Sequence, residues 1–120
     1  MTEVKNSKRY DLEERTLGFA KDIIEFVNIL PKTVANIEIT KQVIRSSGSV
    51  GSNYIEANEA LSKKDFTMRV KICRKEAKES RYWLRLIEAR GEDAENRRQS
   101  LINEATELMK IFGSIVEKAK

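Results

Sequence analysis

Histidine is absent from this chain, cysteine and proline occur once each, and glycine occurs only five times in 120 residues. Without histidine the chain cannot by itself assemble a Ser-His-Asp or Cys-His nucleophile pair, a His-ligated zinc or haem, or a Glu-x-x-His di-iron site. With Cys73 alone an intrachain disulfide is impossible, and a reducing cytosol is the natural setting. Long apolar runs are missing too: the apolar stretches are broken every two or three residues, and the first fifteen positions are mostly polar or charged. Neither a secretory leader nor a membrane span is expected, and the chain reads as a soluble, cytoplasmic protein.

What is present favours helices. Hydrophobic residues make up 40% and charged residues 35%, a balance that with so little proline and glycine disfavours a β-sandwich or a disordered tail. The length allows one domain, residues 1–120. Leu12, Thr16, Phe19, Ile23, Phe26 and Leu30 recur at 4-3-4-3-4 spacing, which predicts a helix over about 12–30. Asp11 with Glu14 reads as its capping box and Pro31 as its stop. A second helix is expected over about 36–61, with Ile39, Val43, Ile44, Ser47, Val50, Gly51, Tyr54, Ile55, Asn58 and Leu61 on its inner side. Its middle, Ser46 to Ser52, contains no good helix former. Gly48-Ser49-Val50-Gly51 has the spacing of a phosphate-clamping GxxG loop but lacks the P-loop ending and a preceding strand. Small residues at a close helix crossing are the preferred reading.

Ser62 with Asp65 opens a third helix over about 63–90, with Gly91 as its expected left-handed C-cap. Phe66, Val70, Cys73, Ala77, Ser80, Leu84 and Ile87 form its buried stripe, which makes Cys73 an inert core thiol. Leu101, Ala105, Leu108, Phe112, Ile115 and Ala119 define a fourth helix over about 96–119. Four helices with short connections predict an all-α protein, an antiparallel up-down-up-down four-helix bundle.

Two i, i+3 carboxylate pairs, Glu56 with Glu59 and Glu76 with Glu79, have the spacing for acid–base work or a hard cation. Lys75, Lys78, Arg45 and Arg81 are available to neutralise them, and no nucleophile has a base, so no enzyme, cofactor or metal site is expected. The net charge of +4 is unevenly spread: residues 63–90 hold ten basic and four acidic groups, while the rest of the chain sums to −2. At 100° per residue, Lys64, Lys71, Arg74, Lys75, Lys78, Arg81 and Arg85 fill one sector of helix three around Tyr82. Such a face suits RNA or DNA, neutralising phosphates and stacking a base on Tyr82; a merely solvated face is the alternative.

Ile44 to Ala57 (IRSSGSVGSNYIEA), then Asp65-Phe66 and the run from Lys75 to Leu84 (KEAKESRYWL), resemble the bacterial four-helix-bundle proteins named for intervening sequences in large-subunit ribosomal RNA genes. The likeness covers about residues 12–118. It implies a small bundle, commonly a homopentamer with a central channel, without assigned catalytic activity. A distant relation is the reverse-transcriptase accessory protein of diversity-generating retroelements, from which this chain departs over most of its length. The matched polar positions read as a structural network: Arg45, Ser49, Asn53 and Glu56 on one side of helix two, and Glu76, Glu79 and Trp83 on helix three. A metal or small anion held there stays open, as does a protein partner. Ile72, Trp83 and Leu86 lie beside the main stripe of helix three, as expected if a neighbouring subunit covers them.

Overall fold

A computed structural model describes the backbone of residues 2–120 and the side chains from Leu12 onward. It contains four helices: α1 (Thr2–Asn28), α2 (Val34–Asn58), α3 (Lys63–Leu86) and α4 (Glu92–Lys118). Successive helices pack against each other and α4 returns to α1, while the backbones of the diagonal pairs stay apart and meet only through core side chains such as Tyr54 of α2 and Phe112 of α4. This is the up-down-up-down bundle, drawn out to 44 × 29 × 19 Å. No described helix is long and apolar enough to cross a membrane.

The stripe of α1 holds: Leu12, Thr16, Phe19, Ile23, Phe26 and Leu30 are all buried. The helix nevertheless runs back to Thr2, so Asp11 is not its cap; the Asp11 side chain lies outside the described residues. On α3, Val70, Cys73, Ala77, Ser80 and Leu84 are fully buried, and burial pushes the Cys73 thiol up to about 12, where it carries no nucleophilic thiolate. On α4 the stripe follows Leu101, Ala105, Leu108 and Phe112 but then turns to Val116, leaving Ile115 and Ala119 half-buried. Tyr54 and Phe112 close the core, ring centroids 5.8 Å apart.

Several helix ends differ from expectation. Ser62 does cap α3, its hydroxyl accepting from the Asp65 N–H at 3.0 Å. The helix stops at Leu86, however, and Gly91, with φ +91°, precedes α4 instead of capping α3. The ends are held by Asn36, a buried residue of α2. Its amide donates to the carbonyls of Pro31 (3.0 Å) and Glu88 (2.9 Å), and its carbonyl accepts from the Glu88 N–H (3.0 Å). One side chain thus ties the α1–α2 connection to the α3–α4 connection.

The Ser46–Ser52 segment is continuous helix, which removes the loop reading. A Cβ on Gly51 would stand 3.0 Å from Thr16 Oγ1 and 3.3 Å from Thr16 Cβ, so glycine is what lets α1 approach α2. The expected inner side of α2 holds at Val43, Ser47, Val50 and Tyr54, all buried, and Ser46 and Ala57 join it. Ile44 and Ile55 are instead about half exposed, and Leu61, beyond the helix, is 98% exposed.

Candidate nucleic-acid interface

The α2–α3 seam is lined by small and polar residues. Ser46 Oγ and Ser80 Oγ are 2.8 Å apart, both fully buried, and Ser80 donates to the Glu76 carbonyl at 2.9 Å. Two small residues facing each other let the helices close. At the rim of the seam Arg45 reaches from α2 to two carboxylates of α3, donating to Glu76 Oε1 at 3.2 Å and to Glu79 Oε2. Trp83 Nε1 donates to the same Glu79 oxygen at 2.9 Å. The indole hydrogen bond, with Arg45 second, holds the Glu79 carboxyl below its ordinary value. In turn Glu76, then Glu79, raise the Arg45 guanidinium pKa.

Arg45, Glu76, Glu79 and Trp83 are therefore brought together as expected; the other three network candidates are not. Asn53 accepts instead from Arg69 at 3.1 Å and donates to the Ser49 carbonyl at 2.9 Å, so Ser49 contributes only backbone. Glu56 is exposed and takes no part: it lies three turns along α2 from Arg45, beyond reach of the Glu76 and Glu79 carboxylates. Arg81, expected to neutralise glutamate, turns to α4 and donates to Thr106 Oγ1 at 3.3 Å. Among the described residues no group of three or more His, Cys, Asp or Glu is placed to hold a metal ion.

The opposite side of α3 is open. Lys64, Lys71, Lys75, Lys78, Tyr82 and Arg85 are exposed and spaced 7-4-3-4-3, a row of about 30 Å at the helical rise. Arg74 and Arg81 form a second row against α4, where Arg74 lies 3.8 Å from the Cβ position of Gly113. None of Lys64, Lys71, Arg74, Lys75, Lys78 or Arg85 has an ion-pair partner within 4.0 Å among the described residues. Tyr82 is 56% exposed and packs edge-on against Trp83, centroids 5.1 Å apart, so its ring is braced while part of its surface stays in solvent. Sequence reasoning missed Ser46, Arg69 and Asn36 as structural polar residues. It also missed Lys63, beside Lys64 on α3, and Lys120, which joins Lys64 and Lys71 at one end of the row only once α3 and α4 are side by side.

The family model described as "23S rRNA-intervening sequence protein" matches residues 8–114. The crystal structure of a protein of unknown function from the S23 ribosomal protein family of Bacteroides thetaiotaomicron VPI-5482 is similar to this chain, with 31% identity and a TM-score of 0.76. The likeness covers 92% of this chain and 98% of that one. Among curated proteins none matches. With most of its length matched by the family model and its fold shared with a solved relative, the chain belongs to the 23S rRNA intervening-sequence protein family.

Proposed function

We propose that the protein is a non-enzymatic, oligomeric helical scaffold that associates with RNA or DNA through the outer face of α3. The observation that carries this reading is the exposed row from Lys64 to Arg85, none of whose cations has a carboxylate within ion-pair distance among the described residues. Unneutralised cations in a row attract a polyanion and release its counterions, while Tyr82 supplies a ring for stacking. The family's description, which names 23S rRNA, is consistent with such a partner. No base-reading element accompanies the row, so binding with little sequence preference is expected.

The experiment is a filter-binding titration of the parent and of a Lys71→Glu, Lys75→Glu, Lys78→Glu variant across salt. Parent binding falls steeply as salt rises, and the variant loses most of it, with a log–log salt slope shallower by about 2–3 if three phosphate contacts go. Absence of parent binding at low salt, or an unchanged variant, sinks the reading.

A different observation favours self-association. Leu17 and Ile24 of α1, and Ile37, Ile44 and Ile55 of α2, are 42–51% exposed. On α2 these isoleucines share a line with Gly48, next to the positions that face α1, so both helices contribute to one apolar strip. Strips of this kind mark protein contacts. A second copy is the proposed occupant and a pentamer the proposed assembly, which would repeat the α3 face and add avidity. Light scattering that gives a 13.8 kDa monomer at micromolar concentration sinks the oligomer, and a clean dimer sinks the pentamer.

A further inference from the structure

The row of cations on α3 ends in a cleft. Where the start of α3 meets the end of α4, a cleft of about 500 Å³ opens. Its size falls within the ~300–1,000 Å³ of typical ligand clefts. Lys63, Lys64, Lys71 and Lys120 stand around it, and only Lys120 has an ion-pair partner among the described residues, Glu117 at 3.2 Å. Its floor is apolar, formed by Met68, Val116 and Ala119. Met68 is 54% exposed in the free protein, an apolar surface left open in the middle of a lysine cluster.

A cationic rim over an apolar floor recognises a particular chemistry: a group with an apolar face whose substituents are anionic. A nucleotide whose base has left the stack fits that description. A duplex does not, because its bases stay paired inside and only phosphates would reach the site, leaving Met68 uncovered. Tyr82, fourteen residues along α3 from Met68, stands about 21 Å away at the helical rise. Two base-accepting points are therefore joined by the cations Lys71, Lys75 and Lys78, the arrangement of a single-strand track.

We propose that the α3–α4 cleft takes an unpaired nucleotide of a single-stranded nucleic acid, its phosphates on Lys63, Lys64, Lys71 and Lys120 and its base on Met68, Val116 and Ala119. The inference rests on the nucleic-acid reading of the α3 face and narrows it to single strands. Lysine–phosphate contacts supply attraction without sequence information, and the floor supplies the preference for an exposed base.

The test compares a fluorescein-labelled single-stranded oligonucleotide with a hairpin duplex of equal charge, by anisotropy at one salt concentration. The parent binds the single strand about tenfold more tightly than the duplex. Met68→Ser with Ala119→Ser, neutral changes at accessible positions, weaken single-strand binding about fivefold and change duplex binding less than twofold. An oligonucleotide carrying 4-thiouridine crosslinks within residues 63–71 or 116–120. Equal binding of both nucleic acids, an indifferent double variant, or crosslinks confined to other segments overturns the cleft while leaving a phosphate-binding α3 face intact. Absence of binding to either nucleic acid overturns both. Binding to phosphatidylglycerol vesicles with no oligonucleotide binding reassigns the cleft to an anionic lipid and likewise rejects the proposal.

Discussion

The two middle helices each have a closed side and an open side, and the difference between them lies in where partners are supplied. Across the closed α2–α3 seam Ser46 meets Ser80, Arg45 meets Glu76 and Glu79, and Arg69 meets Asn53. Among the described residues no buried side-chain polar atom lacks a partner. On the open side of α3 no cation of the row has a carboxylate within ion-pair distance, and on the open side of α2 isoleucines stand without cover. The same residue types thus have opposite meanings. Charge answered within the chain fixes which helix faces meet, whereas unanswered charge and unanswered apolar surface are what the fold leaves for other molecules.

The sharpest break in this comparison is between two glycines of α2 only three residues apart. Gly51 faces Thr16 at a distance that admits no Cβ without movement, while Gly48 has nothing within 4 Å. Gly51→Leu is expected to cost ~1–3 kcal/mol through overpacking, or to prevent folding outright. Urea denaturation measures it. A variant that unfolds like the parent would mean that α1 has room to move away, and the close crossing would lose its structural role.

Next in size is Glu76→Ala at the seam. Its carboxylate is nearly buried, while Arg45 remains half exposed and can recover water, so the loss is discounted to about 1–2 kcal/mol. The outer-face triple variant Lys71→Glu, Lys75→Glu, Lys78→Glu should cost less, under ~1 kcal/mol, since no ion pair within 4.0 Å is broken and the main change is the like charge that Lys75→Glu sets beside Glu79. If the outer variant costs as much as Glu76→Ala, the open side is not open.

Gly48→Ala should act in the opposite sense to Gly51→Leu. The position is helical and unobstructed, so alanine stabilises the bundle by about 0.5–1 kcal/mol. A higher melting temperature with unchanged light scattering places Gly48 outside any subunit contact. A stabilised chain that assembles less well places it inside one.

Much of this architecture was readable from periodicity. Apolar and small residues at 4-3-4-3 spacing marked the buried stripes of α1, α3 and most of α4, because a helix must bury one face wherever it packs. On α2 the same logic placed Val43, Ser47, Val50 and Tyr54 correctly but drew the inner side too wide. Ile44 and Ile55 look buried by hydrophobicity, yet the small side chain of Ser46 takes an inner position because Ser80 of α3 comes close there. Gly91 was misplaced because a glycine between two helices serves equally to end one or to begin the next. In the candidate interface the row along α3 was visible, being carried by one helix. The cleft was not, because Met68 and Val116 lie far apart in sequence and only tertiary packing makes a floor of them.

A further expected effect concerns acid stability and separates the two sides of α3 by titration. Glu79 receives the Trp83 indole N–H and the Arg45 guanidinium, and both favour its ionised form. Its folded pKa lies below the ordinary 4.5, so the stabilisation is fully present above that value and is lost as pH falls through the depressed folded value. The sign follows from proton binding: between the two values the unfolded chain binds a proton that the folded chain does not, so acid favours unfolding. Glu79→Gln removes this dependence, and its stability curve should be flatter than the parent's below pH 4.5. The whole difference should stay below ~1 kcal/mol, because the carboxylate is partly exposed and screened. The single tryptophan sits on this carboxylate, so its fluorescence should shift over the same pH interval in the parent and not in Glu79→Gln. Parallel acid limbs in the two proteins, with a pH-independent tryptophan signal in the parent, would show that the Arg45–Glu79–Trp83 contact does not persist in solution.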